Sequence, residues 1–365
     1  MKKIFVLFAI SFLPGLVFSQ TSFYLSGKVI DAVTKTPLQA ASVFAQNTTI
    51  GTASGADGAF RIDLPNGGYD LVVTFTGYQT ETRRISTSDA TDKNLVIELR
   101  QKEKEMQDVI VKNTYEVKDG WEKYGDFFLD NFIGRSVNAG QCSIRNPTVL
   151  RFFFYKKRNK LKVISTEPVE IVNNALGYMI RYALDSFTHD YNAQASLYSG
   201  YPLFEEMHPA NEAEKGRWDS SRMHAYSGSI LHFMRSLYQK RLREEGFEIQ
   251  FLTHVNDRET AIPVKDFYGG MNYEKDDSTG IVEVLPNQKD VAVIYKKTGP
   301  SPVYLAANPE ASDKFQLSVL SFFPKEKISI EQNGYYFDQN LITVNQYMGW
   351  EKAGDMVPYD FIPLR

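Results

Sequence analysis

Cysteine is nearly missing from this chain. One residue in 365, Cys142, excludes an internal disulfide framework and any cysteine metal cluster within one molecule. Histidine is sparse, with five residues, so a zinc centre would have few ligands to draw on. No sign of charge dominates. The 41 basic and 44 acidic residues leave a net charge of −3, which is no footprint for nucleic acid. Beyond the N-terminus no 18 apolar residues run together, so no transmembrane helix is expected there. The 43% apolar and 23% charged content excludes disorder, collagen and coiled coil as descriptions of the whole. Aromatic side chains are abundant. The 21 Tyr and 25 Phe favour β-rich structure, and the length allows two or three domains.

Residues 1–19 read as a secretory signal peptide. Lys2 and Lys3 supply the positive start, and Ile4 to Ile10 with Phe12 and Leu13 supply the apolar segment. Val17 and Ser19 place cleavage before Gln20. Pro14 and Gly15 break the run short of a membrane span. No cysteine lies near the cleavage point, which argues against a lipoprotein anchor. Cleavage removes two lysines, so 41 basic residues become 39 against 44 acidic, or −5.

Residues 21–100 carry short apolar runs separated by turn signals, among them Gly55-Ala56-Asp57-Gly58 and Pro65-Asn66-Gly67-Gly68. About seven short strands in that length predict an antiparallel β-sandwich. The segments Ser26-Gly27-Lys28-Val29-Ile30-Asp31, Pro37-Leu38, Ala41-Ser42-Val43, Gly51-Thr52, Asp57-Gly58-Ala59-Phe60 and Gly77-Tyr78 resemble the carboxypeptidase-like regulatory domain family. The resemblance implies a prealbumin-like sandwich of the kind found in Gram-negative surface and periplasmic proteins, TonB-dependent receptors among them. It implies no peptidase activity, because that family's zinc site belongs to a separate catalytic domain. Asp57 reads as a turn residue, since one Asp lacks the alternating oxygen ligands of a calcium loop.

Residues 101–114 read as a polar linker, with Val109-Ile110-Val111 as a short extra strand. Residues 115–365 are expected to form a larger domain, mainly antiparallel sheet with one dominant helix. Trp121, Tyr124, Phe127, Phe128 and Phe132 recur at helical spacing. Thr148–Tyr155 and Leu161–Ile164 flank the basic turn Lys156–Lys160 as a hairpin. Asn211 caps a short helical piece. Asp219 or Ser220 then caps a long helix carrying Met223, Tyr226, Ile230, Phe233, Leu237 and Leu242, which Gly246 ends. Later strands are expected at Glu248–Leu252, Ile281–Leu285, Val291–Tyr295, Val303–Leu305, Gln316–Phe323, Lys327–Glu331 and Leu341–Tyr347. Phe132-Ile133-Gly134, Asn146-Pro147, Asn173 to Tyr178, and Tyr226 to Ser229 with His232-Phe233 and Arg235 resemble an uncharacterised domain that accompanies such sandwiches in envelope proteins.

Catalytic signatures are scarce. No His-Glu-x-x-His, P-loop or Gly-x-Ser-x-Gly occurs. Of His189, His208, His224, His232 and His254, only His224 and His232 fall on one expected helix. Eight residues put them about 12 Å apart along its axis, too far to share an ion. Cys142 needs an activating neighbour that sequence does not show. Ser227-Gly228-Ser229 reads as a small-residue packing site. Glu205-Glu206 and Asp276-Asp277 are adjacent rather than facing, and so poor acid–base pairs. No catalytic, metal or cofactor-binding residue is therefore assigned, and no cofactor is expected.

The fold expected is mainly β with α+β: a seven-stranded sandwich, then an antiparallel-sheet domain with one long helix. The function expected is that of a non-enzymatic exported protein. It would be a binding or scaffold subunit at the periplasmic or outer face of the outer membrane. Hosts would be complexes for transport, secretion or outer-membrane protein assembly. Peripheral membrane contact remains open, and no nucleic acid is expected. A hydrolase of unknown type using Cys142 or a histidine, and a carbohydrate-binding module, stand as alternatives.

Overall fold

The computed structural model describes residues 22–87, 94–102, 115–255 and 258–364. The expected signal peptide, the linker from residue 103 and the strand at Val109-Ile110-Val111 lie outside them.

The first unit is a sandwich of seven strands: β1 (Ser22–Asp31), β2 (Ser42–Ala45), β3 (Gly51–Ala53), β4 (Ala59–Pro65), β5 (Gly68–Thr74), β6 (Glu81–Ser86) and β7 (Asn94–Leu99). One sheet runs β4-β1-β7 and the other β3-β2-β5-β6. Strict alternation explains the packing. Phe60, Ile62 and Leu64 of β4 face inward, as do Leu95, Ile97 and Leu99 of β7. They meet Val43, Leu71 and Val73 of the facing sheet in one core. One pairing departs from the antiparallel expectation: β7 runs parallel to β1. The turn at Asp57 is structural, as read. Its Oδ1 accepts from Ala59 N–H (3.0 Å). Gly58 has φ +75, and a Cβ there would lie 2.5 Å from the Val29 carbonyl.

Helix α1 (Gly120–Phe132) packs against the next sheet. Phe128 and Phe132 are fully buried, with rings 4.9 Å apart. The sheet comprises β8 (Cys142–Ile144), β9 (Leu150–Tyr155), β10 (Lys160–Ser165), β11 (Val169–Asn173), β12 (Tyr178–Asp190) and β13 (Ala195–Glu206). The hairpin of β9 and β10 forms as expected, its tip turning through Asn159 at φ +50. The long strand β12 pairs with β11 over residues 178–182, with β10 over 187–190, and with β13 along its length except at the bulge.

The expected single long helix is two helices, α2 (Glu212–Tyr226) and α3 (Ile230–Tyr238). Asn211 caps the first, accepting from Glu214 N–H, and Asp219 and Ser220 lie inside it. Ser227-Gly228-Ser229 is the break, and it is closely packed as read: a Cβ on Gly228 would lie 2.1 Å from Gln316 Oε1 and 2.9 Å from Tyr295 Cδ1. Gly228 takes φ +87, and Ser229 recaps the chain by accepting from His232 N–H. The apolar period continued across the break, which is why sequence joined the two.

The rest comprises β14 (Phe247–Val255), β15 (Arg258–Pro263), α4 (Phe267–Gly270), β16 (Glu274–Lys275), β17 (Val282–Val284), β18 (Asp290–Tyr295), α5 (Pro302–Ala307), β19 (Gln316–Phe322), β20 (Ile328–Ile330), β21 (Ile342–Gln346) and α6 (Tyr347–Trp350). A five-stranded sheet runs β15-β14-β18-β19-β21, beside a three-stranded sheet β16-β17-β20. The strand expected at Val303–Leu305 is helix α5 instead. Ser301 caps it and Pro302 occupies its first turn, a start signal that outweighs three apolar residues. Two apolar clusters fill this region. One lies under α1 and the six-stranded sheet, and the other between α3 and the five-stranded sheet.

Candidate functional site

The sandwich docks on the rest of the chain through main-chain hydrogen bonds. Asn47 N–H donates to the Pro202 carbonyl (2.7 Å), Phe204 N–H to that of Thr48 (2.9 Å), and Tyr359 N–H to that of Asn47 (2.7 Å). On the other side of the seam, Asn333 Nδ2 donates to the Gly68 carbonyl (2.9 Å) and Ser86 Oγ to Glu331 Oε1 (2.6 Å). The C-terminal stretch threads between the units and is held along its length. Asn173 Nδ2 donates to the Gly354 carbonyl (2.8 Å). Arg235 of α3 donates to the carbonyls of Asn333 (2.9 Å), Phe361 (2.9 Å) and Tyr359 (2.7 Å).

This docking leaves a cleft of about 680 Å³. Gln46, Asn47, Asp70, Thr82 and Arg84 of the sandwich form one wall. The β12–β13 ribbon forms a second, with Tyr182, Asp185, Tyr198 and Tyr201. Residues of the stretch 334–359 close it, including Tyr335, Phe337, Glu351 and Asp355. Asp185 is there because of a β-bulge: the register between β12 and β13 shifts at Leu184/Ser186. Gly200, opposite the bulge, lets the Tyr182 ring lie close. A Cβ there would be 2.4 Å from Tyr182 Cε1 and 2.4 Å from the Ala183 carbonyl.

The electrostatics of the cleft are unusual. Asp355 is 7% exposed. Its Oδ1 accepts from Ser136 Oγ (2.7 Å) and Asn138 Nδ2 (3.0 Å), while its Oδ2 has no partner. Burial pushes its carboxyl up. Burial pushes Glu351 well up too, and the charge of Asp355 adds to it. Asp70 is raised by burial, against the pull of a Tyr335 hydrogen bond and of Arg84. Asp185 at the rim is raised by burial, against the pull of a Tyr201 hydrogen bond. Lys352 is lowered by burial.

The sandwich half of this cleft has known relatives. Residues 25–111 match the model of the CarboxypepD_reg-like domain. The N-terminal sandwich is a CarboxypepD_reg-like domain. That family is regulatory and non-catalytic, and typical of secreted or envelope proteins. No family model covers the region that follows the CarboxypepD_reg-like domain, and no curated protein matches the chain. Two solved structures are similar at low level. A 9R-lipoxygenase from Cyanothece PCC8801 has 8% identity and a TM-score of 0.15, over 59% of this chain and 48% of its own. The chain thus spans about half the length of that lipoxygenase. BcpA, the major pilin subunit of Bacillus cereus, has 10% identity and a TM-score of 0.17, over 88% of this chain and 96% of its own. At those scores neither shows a shared fold. Among the described residues no helix is long and apolar enough to cross a membrane.

Outside the CarboxypepD_reg-like domain, the residues weighed for chemistry are scattered. Cys142 is half-buried and donates weakly to the Asn138 carbonyl (3.5 Å). Burial and the charge of Asp355 push its thiol up to about 12, so it carries no thiolate at neutral pH. His232 is buried against Tyr226 and Phe247, and burial lowers it to about 4. Its Nδ1 accepts from Gly228 N–H (3.1 Å), so the ring proton sits on Nε2 facing Glu245 (3.5 Å). The helix break also separates it from His224, which is exposed on α2. His189 is locked between Phe127 and Tyr191 and bonded to Ser196. His208 and His254 are exposed. Glu205 and Glu206 pair with Arg181 and Arg222, and Asp276 accepts from Ser278 within its own loop. Among the described residues no three His, Cys, Asp or Glu converge on a metal position.

No sequence motif marks Asp70, Asp185, Glu351 or Asp355. They come from three distant stretches and share no period. The one local hint was the pair Glu351 and Asp355, four apart, in a stretch with no strand pattern.

Proposed function

We propose that this chain is an exported, non-enzymatic binding subunit of a cell-envelope complex that engages its partner through the cleft. In this reading residues 1–19 are a cleaved signal, 21–100 the sandwich domain, 101–114 a linker and 115–365 the second domain. The partner would lie in the periplasm or at the outer membrane, in machinery for transport, secretion or protein assembly. The observation that carries the reading is the cleft itself. It is walled on one side by a domain of a regulatory, non-catalytic family. The test is an affinity pull-down from detergent-solubilised envelope, with wild type beside Ser199→Trp, which plugs the exposed rim. A partner recovered with wild type and lost with the variant is expected. Recovery of the chain alone, or equal recovery with both, overturns the reading. The tyrosine wall favours one second reading, a sugar-binding cleft, because aromatic faces stack on sugar rings.

A further inference from the structure

Acidic side chains outnumber basic ones in the cleft. Asp70, Asp185, Asp338, Glu351 and Asp355 line it, against only Arg84 and Lys352. Among the described residues none of the five acids is in a salt bridge. Two buried polar atoms of lining residues have no hydrogen-bond partner, Asn47 Oδ1 and Asp355 Oδ2. Both are acceptors, so what completes the site must donate hydrogen bonds. An anion cannot do so. A neutral sugar can fill acceptors but brings no charge to favour ionisation of the buried carboxyls, as a cation does.

The aromatic wall points the same way. Tyr182, Tyr335, Phe337 and Tyr359 are buried and line the cleft, and ring faces attract cations. Arg84 displays the mode within the molecule, because its guanidinium lies over the Phe337 ring. The volume suits a side chain with a short stretch of backbone rather than a bare ion.

We propose that the cleft receives a basic side chain, a guanidinium or ammonium on an aliphatic stem, presented by a partner polypeptide. Glu351 and the rim residue Asp185 face its charge, and Asp355 supports them from beneath. This rests on the binding-subunit reading and names what that subunit binds.

The test is calorimetric titration of the full chain with four probes: N-acetyl-arginine amide, its uncharged isostere N-acetyl-citrulline amide, putrescine and cellobiose. N-acetyl-arginine amide is expected to bind about tenfold or more tighter than the citrulline amide, as a charge-assisted hydrogen bond implies. Glu351→Gln should erase that ratio, and Asp185→Asn should reduce it. Both variants are first shown to be folded by circular dichroism. Equal binding of the two amides, no heat from the arginine amide, or binding of cellobiose alone overturns the proposal. Tighter binding of putrescine than of the arginine amide overturns the polypeptide source. The pull-down separates the two readings. A partner lost with Ser199→Trp but indifferent to charge leaves the binding subunit standing without the cation, and arginine binding with no partner does the reverse.

Discussion

Asp31 in the sandwich and Asp355 in the cleft are both nearly buried carboxylates, 3% and 7% exposed, yet their surroundings push them in opposite directions. Asp31 Oδ1 accepts from the backbone N–H groups of Val33 and Thr34 (both 2.8 Å). Its Oδ2 accepts from Tyr78 Oη (2.8 Å) and Gln101 Nε2 (3.2 Å). The Thr34 and Tyr78 bonds lead in holding it well below the usual carboxylate range. Asp355 has one oxygen served and one bare, and it is raised. A carboxylate whose every lone pair is met ties a loop together. One left half-met in a concave wall costs stability, which is the mark of a site kept for something that binds there.

The comparison can be broken most forcefully at the seam. Arg235→Ala removes three charge-assisted bonds to carbonyls of the 333–361 stretch and should cost about 3 kcal/mol. Denaturant unfolding should show the cleft region loosening while the sandwich transition stays in place. Gly200→Ala comes next. Its Cβ would meet a carbonyl and the Tyr182 ring, and the cost should be about 2 kcal/mol, read in the same experiment.

Glu351→Gln should act with the opposite sign. The raised carboxyl favours the folded state only while protonated, at low pH, and that contribution fades as pH rises above its ordinary value of 4.5. The variant should therefore match wild type near pH 4 and be more stable by about 1 kcal/mol at pH 8, checked by melting curves across pH. Asp31→Asn should destabilise, because the amide oxygen still serves Val33 and Thr34 but the amide nitrogen replaces the oxygen that accepts from Tyr78 and Gln101. Here the sign reverses again. A lowered carboxylate stabilises above its unfolded pKa and loses that contribution as pH falls, so wild type and variant should converge in acid. Like signs for Glu351→Gln and Asp31→Asn at pH 8 would erase the distinction between the two regions.

Much of the architecture was legible in the residues themselves. Alternation in Ala59–Pro65 and Asn94–Leu99, with turns at Asp57-Gly58 and Pro65 to Gly68, specified the sandwich and its inward faces. The aromatic spacing from Trp121 to Phe132 specified α1, and the basic turn at Lys156 specified a hairpin. These are local signals, set by the period of the backbone and the needs of tight turns. The break at Gly228 was less legible, because apolar spacing ran through it and only the left-handed φ of the folded chain reveals it.

The cleft belongs wholly to tertiary structure. Asp70, Asp185 and Asp355 are far apart in sequence, and their juxtaposition depends on a bulge in β12, a docked sandwich and a C-terminal stretch pinned by Arg235. Local sequence determined which segments became strands and helices, because hydrogen-bond periodicity is a property of near neighbours. Docking alone decided which polar atoms were left without partners, because burial and pairing are properties of the whole fold.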